Sequence, residues 1–248
     1  MKKLLILFLL TAGTLSSNAQ SIEFKYNIPL NKVYKTITTM KMDVDGTQSM
    51  VMDIITKGTM TATKLEKDLY TLESVATAIK IDMDMGIATG SYDSENPSDD
   101  EMSQALGAQM GNVIGKKITI VQNNKGKIIP DTTKSEDPSG FTDAFKNIGM
   151  TNIFPDKPVK PGDTWESEVN NDKQKFKLVN KYVEKTSEGH HIQSTGEILN
   201  DTSEKTGTFT ADYVLDPKTH FTISSNIKLD LEVEGQKVKT DMITKVTE

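Results

Sequence analysis

Three long stretches of this chain alternate apolar and polar side chains with a period of two. They cover residues 33–44, 48–63 and 69–86. Because successive side chains of a β-strand point to opposite faces, the alternation predicts three strands with one buried face each. Asp45-Gly46 joins the first two and is a strong hairpin signal. At about 3.3 Å per residue, strands this long reach about 40 Å and favour a wide, curved sheet.

The rest of the chain predicts more strands and two helices. Ile22–Ile28 alternates in the same way, as a short first strand, and residues 87–98 form a polar loop. A capping box of Ser98 and Glu101 begins a helix whose apolar stripe reaches Ile114. Asp137-Pro138 begins a second helix that ends at Gly149. Further strands are predicted at 164–169, 174–185, 190–199, 206–215, 219–233 and 237–247, after a hairpin that turns at residues 124–126.

These elements predict a mainly β fold of the α+β class. We expect one large curved antiparallel sheet or half-barrel with two helices packed on one face. No stretch has the composition of a flexible linker, so residues 20–248 are expected to form a single domain.

The first nineteen residues have the pattern of a secretory signal peptide. Lys2 and Lys3 precede the apolar run Leu4–Leu10, and small residues around Ala19 suit cleavage. The run is too short to span a bilayer, and no later segment is as apolar. Since the chain has no cysteine to carry a lipid anchor, we expect a soluble exported protein, periplasmic or secreted, without a transmembrane segment in its mature form.

Composition excludes some partners. All 29 basic residues are lysine, and the formal net charge of the chain is −6. Proteins that bind nucleic acids use arginine and a basic surface, so a nucleic-acid partner is not expected. Without cysteine the fold has no disulfides and depends on its core.

Three segments resemble an uncharacterised family of exported proteins from Bacteroidota. They are "YDSENP" (92–97), "FPDKPVKPGDTW" (154–165) and "YVLDPKTHFTISSNIKLDLEV" (213–233), preceded by strands with Met-x-Met spacing. The family is known as a domain of unknown function. The resemblance implies a β-rich exported domain and brings no catalytic residue with it.

The segment "IKIDMDMG" (79–86) raises the question of a metal site. In a strand its methionines and aspartates point to opposite faces, so they cannot form one site, and the spacing does not match a calcium loop. The methionines on three neighbouring predicted strands can instead lie together, as plain core, as the wall of an apolar ligand cavity, or as a Cu(I) site. The candidate ligand-binding residues are Met40, Met42, Met50, Met52, Met83 and Met85.

No catalytic motif is recognisable. His190 and His191 are adjacent and would face opposite ways in a strand, and His220 follows a turn, so the histidines are expected to be exposed near turns. The function expected is a non-catalytic exported binding or scaffold domain, with an apolar small molecule or lipid as the possible ligand and no cofactor. The alternatives are a hydrolase with an unrecognised carboxylate site and a Cu(I)-binding protein.

Export can be tested by the mass of the protein. Cleavage after Ala19 should leave a chain that begins at Gln20. Intact-mass measurement of protein recovered from the host should give that mass without detergent extraction. A chain that keeps its first nineteen residues would contradict the prediction.

Overall fold

The computed structural model describes residues 21–46, 49–129, 134–135, 154–170, 174–233 and 235–248, and they build one large antiparallel sheet. Eleven strands pair in the order β6-β5-β3-β2-β1-β12-β11-β10-β9-β8-β7, and β4 pairs with the C-terminal half of β3. In the described part of the chain no pairing joins β6 to β7, so the sheet is open. The strands are β1 (Val33–Asp45), β2 (Met50–Glu66), β3 (Leu69–Asp84), β4 (Thr89–Asp93), β5 (Lys117–Asn123), β6 (Lys134–Ser135), β7 (Thr164–Asn170), β8 (Gln174–Lys185), β9 (His190–Asn200), β10 (Lys205–Leu215), β11 (Thr222–Val233) and β12 (Gln236–Thr247).

The alternating segments form the long strands that the sequence predicts. In β3, Ile79 and Ile81 are buried, while Asp82 and Asp84 are exposed on the opposite face. Met83 lies on the same face as the two isoleucines and is half-buried. The segment that suggested a metal site is therefore a strand with one buried face.

One row of inward side chains crosses ten strands. Register places each member directly opposite the next, and all except the half-buried Trp165 are at most 9% exposed. Burying a large apolar side chain contributes about 1.5–3 kcal/mol, so rows of this kind supply most of the stability of the sheet. The row consists of Tyr92, Ile81, Ile54, Met40, Met242, Ile227, Ala211, Ser194, Asn180 and Trp165.

The outer face carries opposite charges on neighbouring strands. Lys41 lies between Asp53 and Asp241, one on each side. Cross-strand pairs of opposite charge contribute about 0.2–1 kcal/mol each. Asp53 is an exception on its other side, because it lies directly opposite Asp82.

The predicted strand Ile22–Ile28 does not form, and residues 22–31 pair with no strand along their length. They form an extended segment, here called the N-terminal strap, whose side chains Phe24, Tyr26 and Ile28 are buried. The strap makes single hydrogen bonds with several turns and strands instead of pairing along one neighbouring strand. Ile22 N–H donates to the Val159 carbonyl at 2.8 Å, and Asn31 N–H donates to the Ala62 carbonyl at 2.8 Å.

The strap shows how strongly the sheet curves. Tyr26 N–H donates to the Asn124 carbonyl, just after β5, at 2.7 Å. Its neighbour Asn27 donates to the Thr219 carbonyl, just before β11, at 2.9 Å. These strands are five spacings apart along the sheet, about 24 Å if it were flat. Adjacent residues can bond to both carbonyls only because the sheet is curved.

The helix α1 (Glu101–Met110) is the one helix in the described residues. It is shorter than predicted, and its N-cap is Asp100, which accepts from Ser103 N–H at 2.8 Å. Ser98 was predicted as the cap, but its hydroxyl donates to the Asp100 carboxylate instead. Residues 89–93, predicted as loop, form β4. The ring of Tyr92 in β4 fits against Gly107, where an added Cβ would lie 2.9 Å from Tyr92 Cε2.

The second predicted helix, over residues 137–149, lies outside the described residues. The fold therefore agrees with the predicted class, a mainly β protein with a curved antiparallel sheet, and contains one helix where the structure is described. None of the described helical residues forms a segment long and apolar enough to cross a membrane.

Adjacent residues of β3 test the two faces of the sheet. Ile81→Ala should lower the free energy of unfolding by about 2–4 kcal/mol, since Ile81 is 2% exposed. Asp82→Asn should change it by at most about 0.5 kcal/mol, because Asp82 is exposed and faces Asp53. Urea unfolding with and without a chelator is the measurement. Severe destabilisation by Asp82→Asn, or a wild type sensitive to the chelator, would contradict the strand interpretation.

Candidate functional site

A cavity of about 280 Å³ lies on the inner face of the curved sheet. Its floor comes from β1, β2, β3, β11 and β12, and its walls come from β5, from the strap and from the residues that follow α1. More than half of the lining residues are apolar, methionines included. The described residues that line it are Tyr26, Thr36, Thr38, Met40, Ile54, Thr56, Gly58, Met60, Leu72, Ser74, Val75, Ala76, Ile79, Val113, Lys116, Ile118, Ile120, Gln122, Phe221, Thr222, Ser224, Ser225, Met242, Thr244 and Val246.

The space exists because several inward side chains of the floor are small. Thr36 lies opposite Gly58 on β2, and Gly58 lies opposite Ala76 on β3. One pair further along, Ser74 continues the same inward face. An added Cβ at Gly58 would lie 2.8 Å from the Val75 carbonyl oxygen, so this position admits no larger residue without a shift. In the row of ten residues that crosses the sheet, β1 and β2 carry Met40 and Ile54 instead. Their larger side chains fill the inner face at that row.

Hydroxyl groups form a stripe between the small residues and the filled row. Thr38 lies between Thr56 and Thr244 on the neighbouring strands, and Thr244 is opposite Ser225. The Thr38 and Thr244 hydroxyl oxygens are 3.0 Å apart. The stripe can donate and accept hydrogen bonds but carries no charge.

The strap closes one end of the cavity. Tyr26 reaches the lining from the strap, next to Gln122 of β5 and Thr222 of β11. Burial raises the pKa of Tyr26 to about 12, although hydrogen bonds with Thr222 and Gln122 lower it. The Tyr26 hydroxyl is therefore neutral at every physiological pH and serves as a hydrogen-bonding group of the cavity end.

The predicted methionines are distributed along the same inner face. Met40 lines the cavity and is 4% exposed. Met42, Met52 and Met83 lie side by side one row further from the strap, on β1, β2 and β3. Met50 lies opposite Val44 near the hairpin end, and Met85 follows β3. Ligand binding by these six methionines stays a prediction. A Cu(I) site also stays a prediction, and the three adjacent thioethers are the kind of ligand that such a site would use.

Sequence reasoning missed the small and hydroxyl residues at the centre of the site. Their signal was present in the same alternation: inward positions 36, 38, 56, 58, 74 and 76 carry Thr, Thr, Thr, Gly, Ser and Ala instead of large apolar residues. Gln122 and Tyr26 gave no such signal, because they reach the site through the curvature of the sheet.

Acidic residues gather elsewhere, at the edge formed by β2, β3 and β4. A shallow pocket there is lined by Asp53, Asp82, Asp84 and Asp100. The Ser98 hydroxyl and the Ser103 N–H lower the pKa of Asp100, which suits an N-cap and makes it a poor proton donor. Among the described residues no three His, Asp or Glu side chains are placed to hold a metal ion.

The expectation that the histidines are exposed is wrong for His190. It is 1% exposed, and its Nδ1 lies 2.9 Å from the Tyr182 hydroxyl. Its ring packs edge-on against Phe24 of the strap at 5.4 Å, and His220 lies 5.5 Å away. His220 is half-buried and contacts the Lys25 carbonyl at 2.8 Å. The curved sheet brings the strap across these strands, and the strap buries His190, which a position near a turn would otherwise leave exposed.

The histidine cluster predicts a loss of stability in acid. Burial, and then the neighbouring His220, lower the pKa of His190 to about 4. In the unfolded chain the pKa of a histidine is about 6.5, so the unfolded state takes up the proton first as the pH falls. The free energy of unfolding is therefore unaffected by the titration of His190 above pH 6.5 and falls as the pH decreases from 6.5 to about 4. Between pH 7 and pH 4.5, the free energy of unfolding of His190→Gln should fall by about 2 kcal/mol less than that of wild type.

Urea unfolding at the two pH values is the measurement, with His191→Gln as the matched control. Titrating carboxylates are common to the three proteins and cancel in the comparison. An equal pH dependence in wild type and His190→Gln would contradict the assignment.

Sequence comparisons identify no established activity. A model of a family of unknown function, DUF6263, matches residues 135–240, which is less than half of the chain. No curated protein matches the chain in sequence.

The sheet resembles that of a solved structure. The structure of lipovitellin aligns with 89% of this chain at 9% identity and a TM-score of 0.58, and the chain spans 25% of the lipovitellin chain. Two others align less well: a proposed outer membrane lipoprotein-sorting protein domain from Vibrio parahaemolyticus (TM-score 0.28, 8% identity, 86% of this chain and 85% of that one) and a DUF1329 protein from Desulfovibrio piger (TM-score 0.24, 10% identity, 85% and 83%). The likeness to lipovitellin shows a common fold for the sheet and nothing further.

Proposed function

We propose that this protein binds a small apolar molecule in the cavity of its half-barrel and performs no catalysis on it. The observation that carries the proposal is the cavity itself: about 280 Å³ of space on the inner face of the sheet, beside the buried row of Met40 and Ile54. Ligand pockets in proteins are concave, mostly apolar and supplied with a few polar groups. The aliphatic lining with its hydroxyl stripe has this composition.

The lining also argues against catalysis in the cavity. None of the described lining residues is an Asp, Glu, His or Cys, and Lys116 is exposed at the mouth. General acid–base catalysis needs a titratable group near the reacting atoms, with a pKa close to the working pH. Tyr26, with a pKa of about 12, does not meet that requirement. A hydrolase with a carboxylate pair would have to use another surface.

The common fold with lipovitellin fits the proposal. That structure is described as one of lipid–protein interactions, and its sheet resembles this one at a TM-score of 0.58. Fold alone does not transfer a ligand, so the likeness adds to the cavity and does not replace it. The signal-peptide pattern of residues 1–19 supports a place outside the cytoplasm, where a domain of this kind would hold apolar molecules away from water.

Two neighbouring threonines on opposite faces of β1 provide a matched test. Thr36 lines the cavity, whereas Thr39 is exposed on the outer face. Thr36→Leu should fill the space and weaken binding of the neutral fluorophore N-phenyl-1-naphthylamine by at least about tenfold, or 1.4 kcal/mol. Thr39→Leu should leave binding unchanged. Fluorescence titration of the two variants and wild type is the measurement.

Folding of each variant is checked by circular dichroism and urea unfolding. Absence of binding to wild type at micromolar concentrations would contradict the proposal. So would equal binding to wild type and to a folded Thr36→Leu protein.

A further inference from the structure

The charge of the cavity lining differs from that of the whole chain. Aspartate and glutamate outnumber lysine, 35 to 29. Of the described residues that line the cavity, only Lys116 is charged. A cavity in an acidic protein that contains no carboxylate and one cation at its mouth disfavours a cationic guest and favours an anionic one.

The backbone holds Lys116 in place at the mouth. It follows Gly115, whose φ of +77° turns the chain after α1. Gly115 N–H donates to the Ala76 carbonyl at 2.8 Å, and Lys116 N–H donates to the Val113 carbonyl at 3.2 Å. The Lys116 ammonium makes no ion pair with the described carboxylates. The next residue, Lys117, does the opposite: it pairs with Glu73 at 2.8 Å.

The turn before Lys116 is attached to the row of small residues that borders the stripe of hydroxyl groups. The Ala76 carbonyl that fixes the turn belongs to the row of Gly58 and Thr36. The next inward row holds the hydroxyls of Thr56, Thr38 and Thr244. Beyond it comes the filled row of Met40, Ile54 and Met242. A ligand with one polar end would therefore meet a cation, then hydroxyls, then aliphatic groups along the direction of the strands.

We infer that the cavity takes a single-chain amphiphile with a carboxylate head, held at Lys116 and the threonine hydroxyls, with its chain toward Met40 and Met242. This rests on the proposed function and adds the class of ligand. The volume of about 280 Å³ is at or below the lower end for drug-sized ligands, so one short chain fits better than the two chains of a membrane lipid.

Three ligands with alkyl chains of nearly equal length and different head groups test the inference. Decanoic acid, methyl decanoate and decyltrimethylammonium are titrated against protein loaded with N-phenyl-1-naphthylamine at neutral pH, and displacement gives each affinity. Wild type should bind the acid roughly fivefold more tightly than the ester, and the cation most weakly. Lys116→Met should remove the preference for the acid over the ester.

Lys117→Met is the matched control, because this lysine pairs with Glu73 and does not line the cavity. It should keep the preference of wild type. Equal binding of acid and ester to wild type would overturn the inference, and so would loss of the preference in Lys117→Met as well. In either case, binding of the ester would still support the proposed function. If none of the three displaced the probe, both would fail.

Discussion

The curved sheet depends on the N-terminal strap, which connects parts of the sheet that a flat arrangement would keep far apart. Within two residues, Tyr26 and Asn27, the strap bonds to the ends of β5 and of the β10–β11 connection. It buries Phe24 completely against His190 and His220. These contacts combine backbone hydrogen bonds with aromatic packing, and they hold the two sides of an open sheet at the spacing that encloses a cavity.

Inside this frame the side-chain sizes decide which part of the inner face is filled. Large residues such as Met40 and Ile54 complete the core in one row, and Gly58 and Ala76 leave space two rows nearer the strap. An empty apolar space lowers stability, because the lining loses contacts that a filled core would have. A fold that keeps such a space next to a well-packed core, and lines it with hydroxyls, has the composition of a binding site more than that of a packing defect.

Much of the fold follows from local pattern. Alternation over residues 69–86 predicts a strand with Ile81 inward and Asp82 outward, and the structure has both. The same pattern misassigns Ile22–Ile28, because alternation reports a buried face and not the partner of the backbone. The burial of His190 could not be predicted either, since it results from the strap crossing a curved sheet. The cavity depends on two features. The small inward residues are visible in the local sequence, whereas the curvature of the sheet that encloses the space beside them is a long-range property.

The central claim is that an apolar ligand occupies this cavity and no other apolar surface. Methyl-labelled methionine and isoleucine allow nuclear Overhauser effects between a bound ligand and single side chains to be measured. The account predicts contacts from the alkyl chain of methyl decanoate to Met40, Met242 and Ile79, which line the cavity. Contacts only to Ile55 and Ile243, which are exposed on the outer face, would contradict it.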